Sequence, residues 1–150
     1  MAAPEPGAPA SDAVAAGALA VAAAGLLLSL FLHWYRLERA TLPFVVAPSP
    51  DATGWQLFTF TDVVLAATCA GALALATTLL GGGGSGVRTL ALAGLAGCAV
   101  TGLVVWRALD PPIRVLAGHA QVRPALGAYV ALAALASMLL AVVLTALWRI

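Results

Sequence analysis

Lysine is absent from this chain, and charge of either sign is scarce. Seven arginines and six acids make up 9% of 150 residues. A soluble domain carries about a quarter charged residues. With 63% hydrophobic residues and a mean hydropathy of +1.04, too little polar surface remains to cover a soluble globule. Lipid is therefore the expected outer solvent. A net charge of +1 gives no reason to expect nucleic acid, which requires a basic face. Cysteine is limited to Cys69 and Cys98, which sit in separate apolar runs and outside any CxxC pair. Both are expected as small buried hydrophobes, which disfavours a dithiol redox centre. The chain also lacks HExxH, a nucleophile elbow, paired membrane carboxylates and the GK[ST] of a phosphate loop, so neither an enzyme site nor a metal or cofactor site is expected.

What is there is long apolar runs, at 13–32, 63–80, 89–106 and 125–148. About 20 residues rising 1.5 Å each cross a hydrocarbon core of about 30 Å. Period-two alternation is missing, so a barrel is excluded and helices must satisfy their own backbone. The expectation is an all-α bundle of four transmembrane helices over 13–34, 61–80, 88–107 and 125–148, within a domain at 13–150. Residues 1–12, "MAAPEPGAPASD", read as a disordered Pro/Ala-rich tail. The first run has no cation before it and ends in bulky aromatics, so it reads as a retained span and not a cleaved signal. "GGGGSG" at 81–86 reads as a flexible turn. Asp110-Pro111-Pro112 stops the third helix, and Pro124 suits the first turn of the fourth. Between them, "PPIRVLAGHAQVR" fits either a short helix lying at the interface or an ordinary loop.

Four spans put both long loops on one side, opposite both ends of the chain. That side collects Trp34, Tyr35, Trp55, Trp106 and Tyr129, together with His33, His119, Arg36, Arg39, Arg107, Arg114 and Arg123. Aromatic rings at helix ends match an interfacial belt, so Trp34 and Tyr35 are expected as membrane anchors. The arginine count places these loops in the cytoplasm.

"SLFLHWY", "GWQLFTFTDVVLA" and "RALDPP", followed by a closing apolar helix, resemble a group of uncharacterised small four-span integral membrane proteins of high-GC actinobacteria. Their pattern runs SLFLPWY, WxxFxxxD, DPP, and the resemblance covers residues 25–148. It implies a four-helix fold and a multi-pass place in the cell membrane, with no activity attached. It also implies a cytoplasmic N-terminus, against the arginine count. His33 stands where the group has proline, so no shared histidine mechanism follows.

Among candidate functional residues, Trp55, Phe58 and Asp62 form W-x-x-F-x-x-x-D, spacings that share a helix face. Asp62 reads as an acid favoured by the helix dipole, with two aromatics beside it at the interface. A sharper reading pairs it with Arg107 at the end of the third span. His33 and His119 are on one side, but ligation of a haem iron is the weaker reading of them. Small-residue stripes at Gly17/Gly25/Ser29, Gly94/Cys98/Gly102 and Ala133/Ser137/Ala141/Thr145 allow close helix approach in lipid, either within the bundle or toward a membrane-protein partner or homo-oligomer. The expected role is a non-enzymatic structural or accessory membrane component that presents Trp55, Phe58, Asp62 and Arg107 on one surface. A small transporter or channel subunit using Asp62 is the alternative, and a haem or redox membrane protein is the third reading.

Overall fold

A computed structural model describes residues 10–38, 46–47, 53–58, 60–82, 86–110, 114–115 and 121–149. Four long helices carry the fold: α1 (Ala10–Ser29), α3 (Phe60–Leu80), α4 (Val87–Leu109) and α5 (Leu126–Leu147). Each is long and apolar enough to cross a membrane, and at 1.5 Å per residue each reaches about 30 Å. The chain is a multi-pass integral membrane protein with an all-α, four-helix bundle. A one-turn helix, α2 (Gly54–Leu57), precedes α3.

The described parts of the long loops include strands that the sequence did not imply. Strand β1 (Tyr35–Glu38) pairs antiparallel with β4 (Gln121–Pro124), and β2 (Val46–Ala47) pairs with β3 (Arg114–Val115). Of 111–123, expected as an interfacial helix or a plain loop, residues 114–115 and 121–123 are strand, which corrects the helix there, and the rest lies outside the described residues. Val46 lies opposite Val115, a β-branched pair suited to a ladder. Pro124 closes β4, and helix α5 starts two residues later. The first helix also stops at Ser29, short of residue 34, because the chain turns there to enter β1. Of the tail expected at 1–12, residues 10–12 open α1, and the rest lies outside the described residues.

The helices form an open arc in the order α3, α1, α5, α4. Helix α1 packs through Ala15, Leu19, Ala22, Ala23 and Leu26. Helix α5 answers with Ala128, Ala131, Ala134, Leu135, Met138 and Ala141. A Cβ added at Gly25 would lie 3.7 Å from the Ala134 Cβ, which shows how closely α1 and α5 approach. In lipid such contact is van der Waals packing, which small residues permit. By contrast α3 and α4, consecutive in sequence, hardly touch and leave an apolar cleft of about 700 Å³ between them. The turn that joins them opens with Gly82 at φ 66°, a conformation that glycine adopts without strain.

Where α5 meets the end of α1, Gly127 has no room to spare. A Cβ there would lie 2.7 Å from Trp34 Cδ1 and 2.9 Å from the His33 carbonyl oxygen. Gly127→Val is therefore expected to destabilise the fold by about 1–3 kcal/mol, the usual range for overpacking. Gly17→Ala, whose added Cβ meets nothing within 4 Å, should stay within about 0.5 kcal/mol. Unfolding in detergent, followed by helicity, checks both.

Candidate functional site

Beyond the last turn of α1 the chain folds back over the helix end. The Trp34 indole N–H donates to the Ser29 carbonyl at 2.8 Å. Backbone N–H groups of Gly54 and Trp55 donate to the Leu32 and Leu30 carbonyls at 3.4 and 3.1 Å. Those of Ala125 and Gly127 donate to Trp34 and His33 at 2.8 and 2.9 Å. The last carbonyls of α1, on Leu26 to Ser29, accept from Ser29 Oγ, from the N–H groups of Leu30, Phe31 and Leu32 and from the Trp34 indole, while the carbonyls of the turn that follows accept from α2 and from the start of α5. Gly54 is required here, because a Cβ would stand 2.5 Å from Trp34 Nε1.

Trp34 is fully buried and Tyr35 is 2% exposed. The expectation that they anchor the protein at the lipid interface is corrected: both rings point inward. Phe58, also buried, meets Trp34 edge-on at 5.0 Å between centroids and Tyr35 at 6.2 Å. The outward pair is instead Trp55 and Phe31, both exposed and stacked at 6.3 Å. Trp55, Trp106 and Tyr129, which the sequence placed in the same belt as Trp34 and Tyr35, are exposed. His33 is exposed and bridged to Thr53 through the backbone, while His119 lies outside the described residues.

Trp55, Phe58 and Asp62 do not share one helix face. Helix α2 ends at Leu57, Phe58 is extended (φ −117°, ψ 135°), and α3 begins at Phe60. The Thr53 N–H donates to Gln56 Oε1 at 3.0 Å, which closes the single turn of α2 on itself. That break leaves Trp55 outside and swings Phe58 into the Trp34–Tyr35 cluster. Asp62 is 5% exposed and Thr61 is fully buried, so neither is presented on a surface. Asp62 Oδ1 and Thr61 Oγ1 have no hydrogen-bond partner among the described residues.

Arg107, half-buried at the end of α4, does not pair with Asp62. Its guanidinium lies over the Phe58 ring at 5.8 Å and the Trp106 ring at 4.9 Å, and its buried Nε has no hydrogen-bond partner. The backbone carbonyl of Arg107 accepts a hydrogen bond from the Tyr35 hydroxyl. Burial pushes the Tyr35 phenol up to about 12, against the opposing pull of Arg107 and with a small push from Asp110. An ion pair the sequence reading missed joins the other end of the bundle, where Arg149 donates to Asp12 Oδ2 at 2.8 Å. The signal for it was the parity of the spans, which brings the start of α1 and the end of α5 to one side. Cys69 is buried with its thiol 3.4 Å from the Ala23 carbonyl, as its apolar setting implied. Cys98 is exposed on α4, a correction that follows from the few neighbours α4 has.

Comparison of the chain with family models, with curated proteins and with solved structures gave no match. The reading of this site therefore rests on its own geometry.

Two outcomes follow. Because Asp62 and Arg107 make separate contacts, Asp62→Asn and Arg107→Gln should add in their stability costs to within about 0.5 kcal/mol, the limit for independent sites. A larger coupling in the double variant would restore the pair. Tyr35 should hold its proton to about pH 12 in the folded bundle, where an unfolded tyrosine ionises near 10. Its contribution to stability is complete below pH 10 and is lost as pH rises toward 12. Tyrosinate absorbance in an alkaline titration checks this, with the late step missing in Tyr35→Phe.

Proposed function

We propose that this integral membrane protein is a non-enzymatic accessory component of the cell membrane, held to a partner membrane protein by lateral contact along α4. The observation that carries this reading is how little of α4 the bundle encloses. Only Leu90 and Val104 are fully buried on it, and its neighbour in the arc is α5 alone. Of the stripe Gly94, Cys98 and Gly102, Gly94 lies against Val142 of α5, while Cys98 is exposed and nothing is within 4 Å of a Cβ at Gly102. In lipid such a stripe lets a partner helix approach closely. The resemblance of "SLFLHWY" and "RALDPP" to the actinobacterial four-span group supports the same place and membership of that group. A second reading, a small transporter or channel subunit, draws on Asp62, since a buried carboxyl without a partner at the start of a span is a common mark of an ion path.

Purification of the tagged protein from its native membrane in mild detergent, with mass spectrometry of what accompanies it, tests the accessory reading. The expected result is a stoichiometric membrane protein that cross-links through Cys98 and is lost in Gly102→Leu, while the helicity of that variant is unchanged. Recovery of the chain alone overturns it. A Cys98–Cys98 link between two copies replaces the partner with a homodimer.

A further inference from the structure

The cleft between α3 and α4 and the unpaired guanidinium of Arg107 lie along the same line. On α3 the cleft is lined by Val64, Thr68, Gly71, Leu75 and Thr78, residues that recur every three or four positions and so form one face. On α4 it is lined by Thr89, Ala93, Ala96 and Gly97. Continued toward the loops at the same spacing, that face of α4 passes Val100 and Leu103 and ends at Arg107. Cys98 and Gly102 are on the opposite side of α4, so the cleft is separate from the partner surface proposed above.

The length and lining of the cleft decide what enters it. From Val64 to Thr78 it runs about 21 Å along α3 at 1.5 Å per residue. Along that length its lining is almost wholly apolar, which suits a hydrocarbon chain. The hydroxyls of Thr68 and Thr78 donate back to the Val64 and Leu75 carbonyls, so they leave the lining apolar.

At the loop end stands a fixed cation. The Arg107 guanidinium forms no hydrogen bond or ion pair among the described residues, and the Phe58 and Trp106 rings hold it in place. Its planar set of donors matches a phosphate. Asp110, one turn further on, is exposed and makes no ion pair with it. In a span that ends at the headgroup layer, the anion available to such a group is the lipid phosphate.

We propose that α3 and α4 form a binding site for one anionic phospholipid, with its phosphate on Arg107 and an acyl chain in the cleft. Native mass spectrometry of the full chain in mild detergent, titrated with phosphatidylglycerol or phosphatidylcholine, tests it. The wild type is expected to hold one phosphatidylglycerol in preference to phosphatidylcholine, with no competition from inorganic phosphate. Arg107→Gln keeps the backbone carbonyl that Tyr35 uses and should lower phosphatidylglycerol occupancy about tenfold, the loss of one charge-assisted contact. Gly71→Leu extends into open space and should fill the cleft, lowering occupancy by both lipids about as much. Arg36→Gln, an exposed arginine in β1, is the control and should stay near the wild type. Wild-type occupancy in either Arg107→Gln or Gly71→Leu overturns the proposal. So does a co-purifying polypeptide that Gly71→Leu displaces.

Discussion

The hydrogen bond from the Trp34 indole to the Ser29 carbonyl fixes the point at which the first span stops, and most of the loop face is built against that ring. Trp34 lies under α2, where only a glycine at 54 leaves room for it, and against the first turn of α5, where only a glycine at 127 does. Its own carbonyl accepts the Ala125 N–H, and Phe58 packs on its edge. A membrane protein must pair every backbone group that lipid surrounds. The end of α1 is met by the turn that follows it, and the carbonyls of that turn accept from α2 and from the start of α5, so one turn organises the start of two other helices. Both long loops then leave this point side by side, which explains why β1 pairs with β4 and not with a strand of its own loop.

Strength is unevenly distributed as a result. Helix α1 is held on two sides, by α3 and by α5, and at its far end Asp12 is tied to Arg149. Helix α4 is held on one side. The hairpin of α3 and α4 would ordinarily close on itself, yet the glycine-rich turn imposes no close packing on its arms, and the small residues of both lining faces leave a gap between them. A bundle of the same four helices with bulky residues at Gly71, Ala93 and Ala96 would fill that gap. The choice of small residues there keeps one flank of the protein open to its solvent.

The spans were legible because twenty apolar residues without a charge admit one interpretation in water or lipid. The loop side was legible from parity and the arginines. The direction in which each aromatic faces was not. A tryptophan next to a helix end reads the same whether it lies in the headgroups or folds back beneath a second segment, and the difference between Trp34 and Trp55 depends on Gly54 and Gly127, twenty and more than ninety residues away. The face shared by Trp55, Phe58 and Asp62 failed for a local reason. Spacing predicts a common face only if the helix is continuous, and the extended Phe58 breaks it. The strands escaped notice because ladders of four and two residues carry too little pattern to read.

The contrast between Asp62 and Arg107 shows how burial separates two groups that composition treats alike. Asp62 is enclosed among apolar residues on the α1-facing side of α3, where Leu65, Cys69, Ala76 and Leu79 continue the same face. Arg107 is at the end of α4, with the Phe58 and Trp106 rings against it, on the continuation of the face that lines the cleft as far as Gly97. In the first setting little of the acid is exposed. An unpaired cation in the second stands where lipid is the adjoining phase, and a guanidinium at a helix C-terminus is already favoured by the helix dipole. The long stem of arginine also lets the charge reach the headgroup layer while its methylenes remain in apolar surroundings. The same scarcity of charge that marked the chain as a membrane protein therefore gives its few charged residues distinct roles, set by which face of which helix each one occupies.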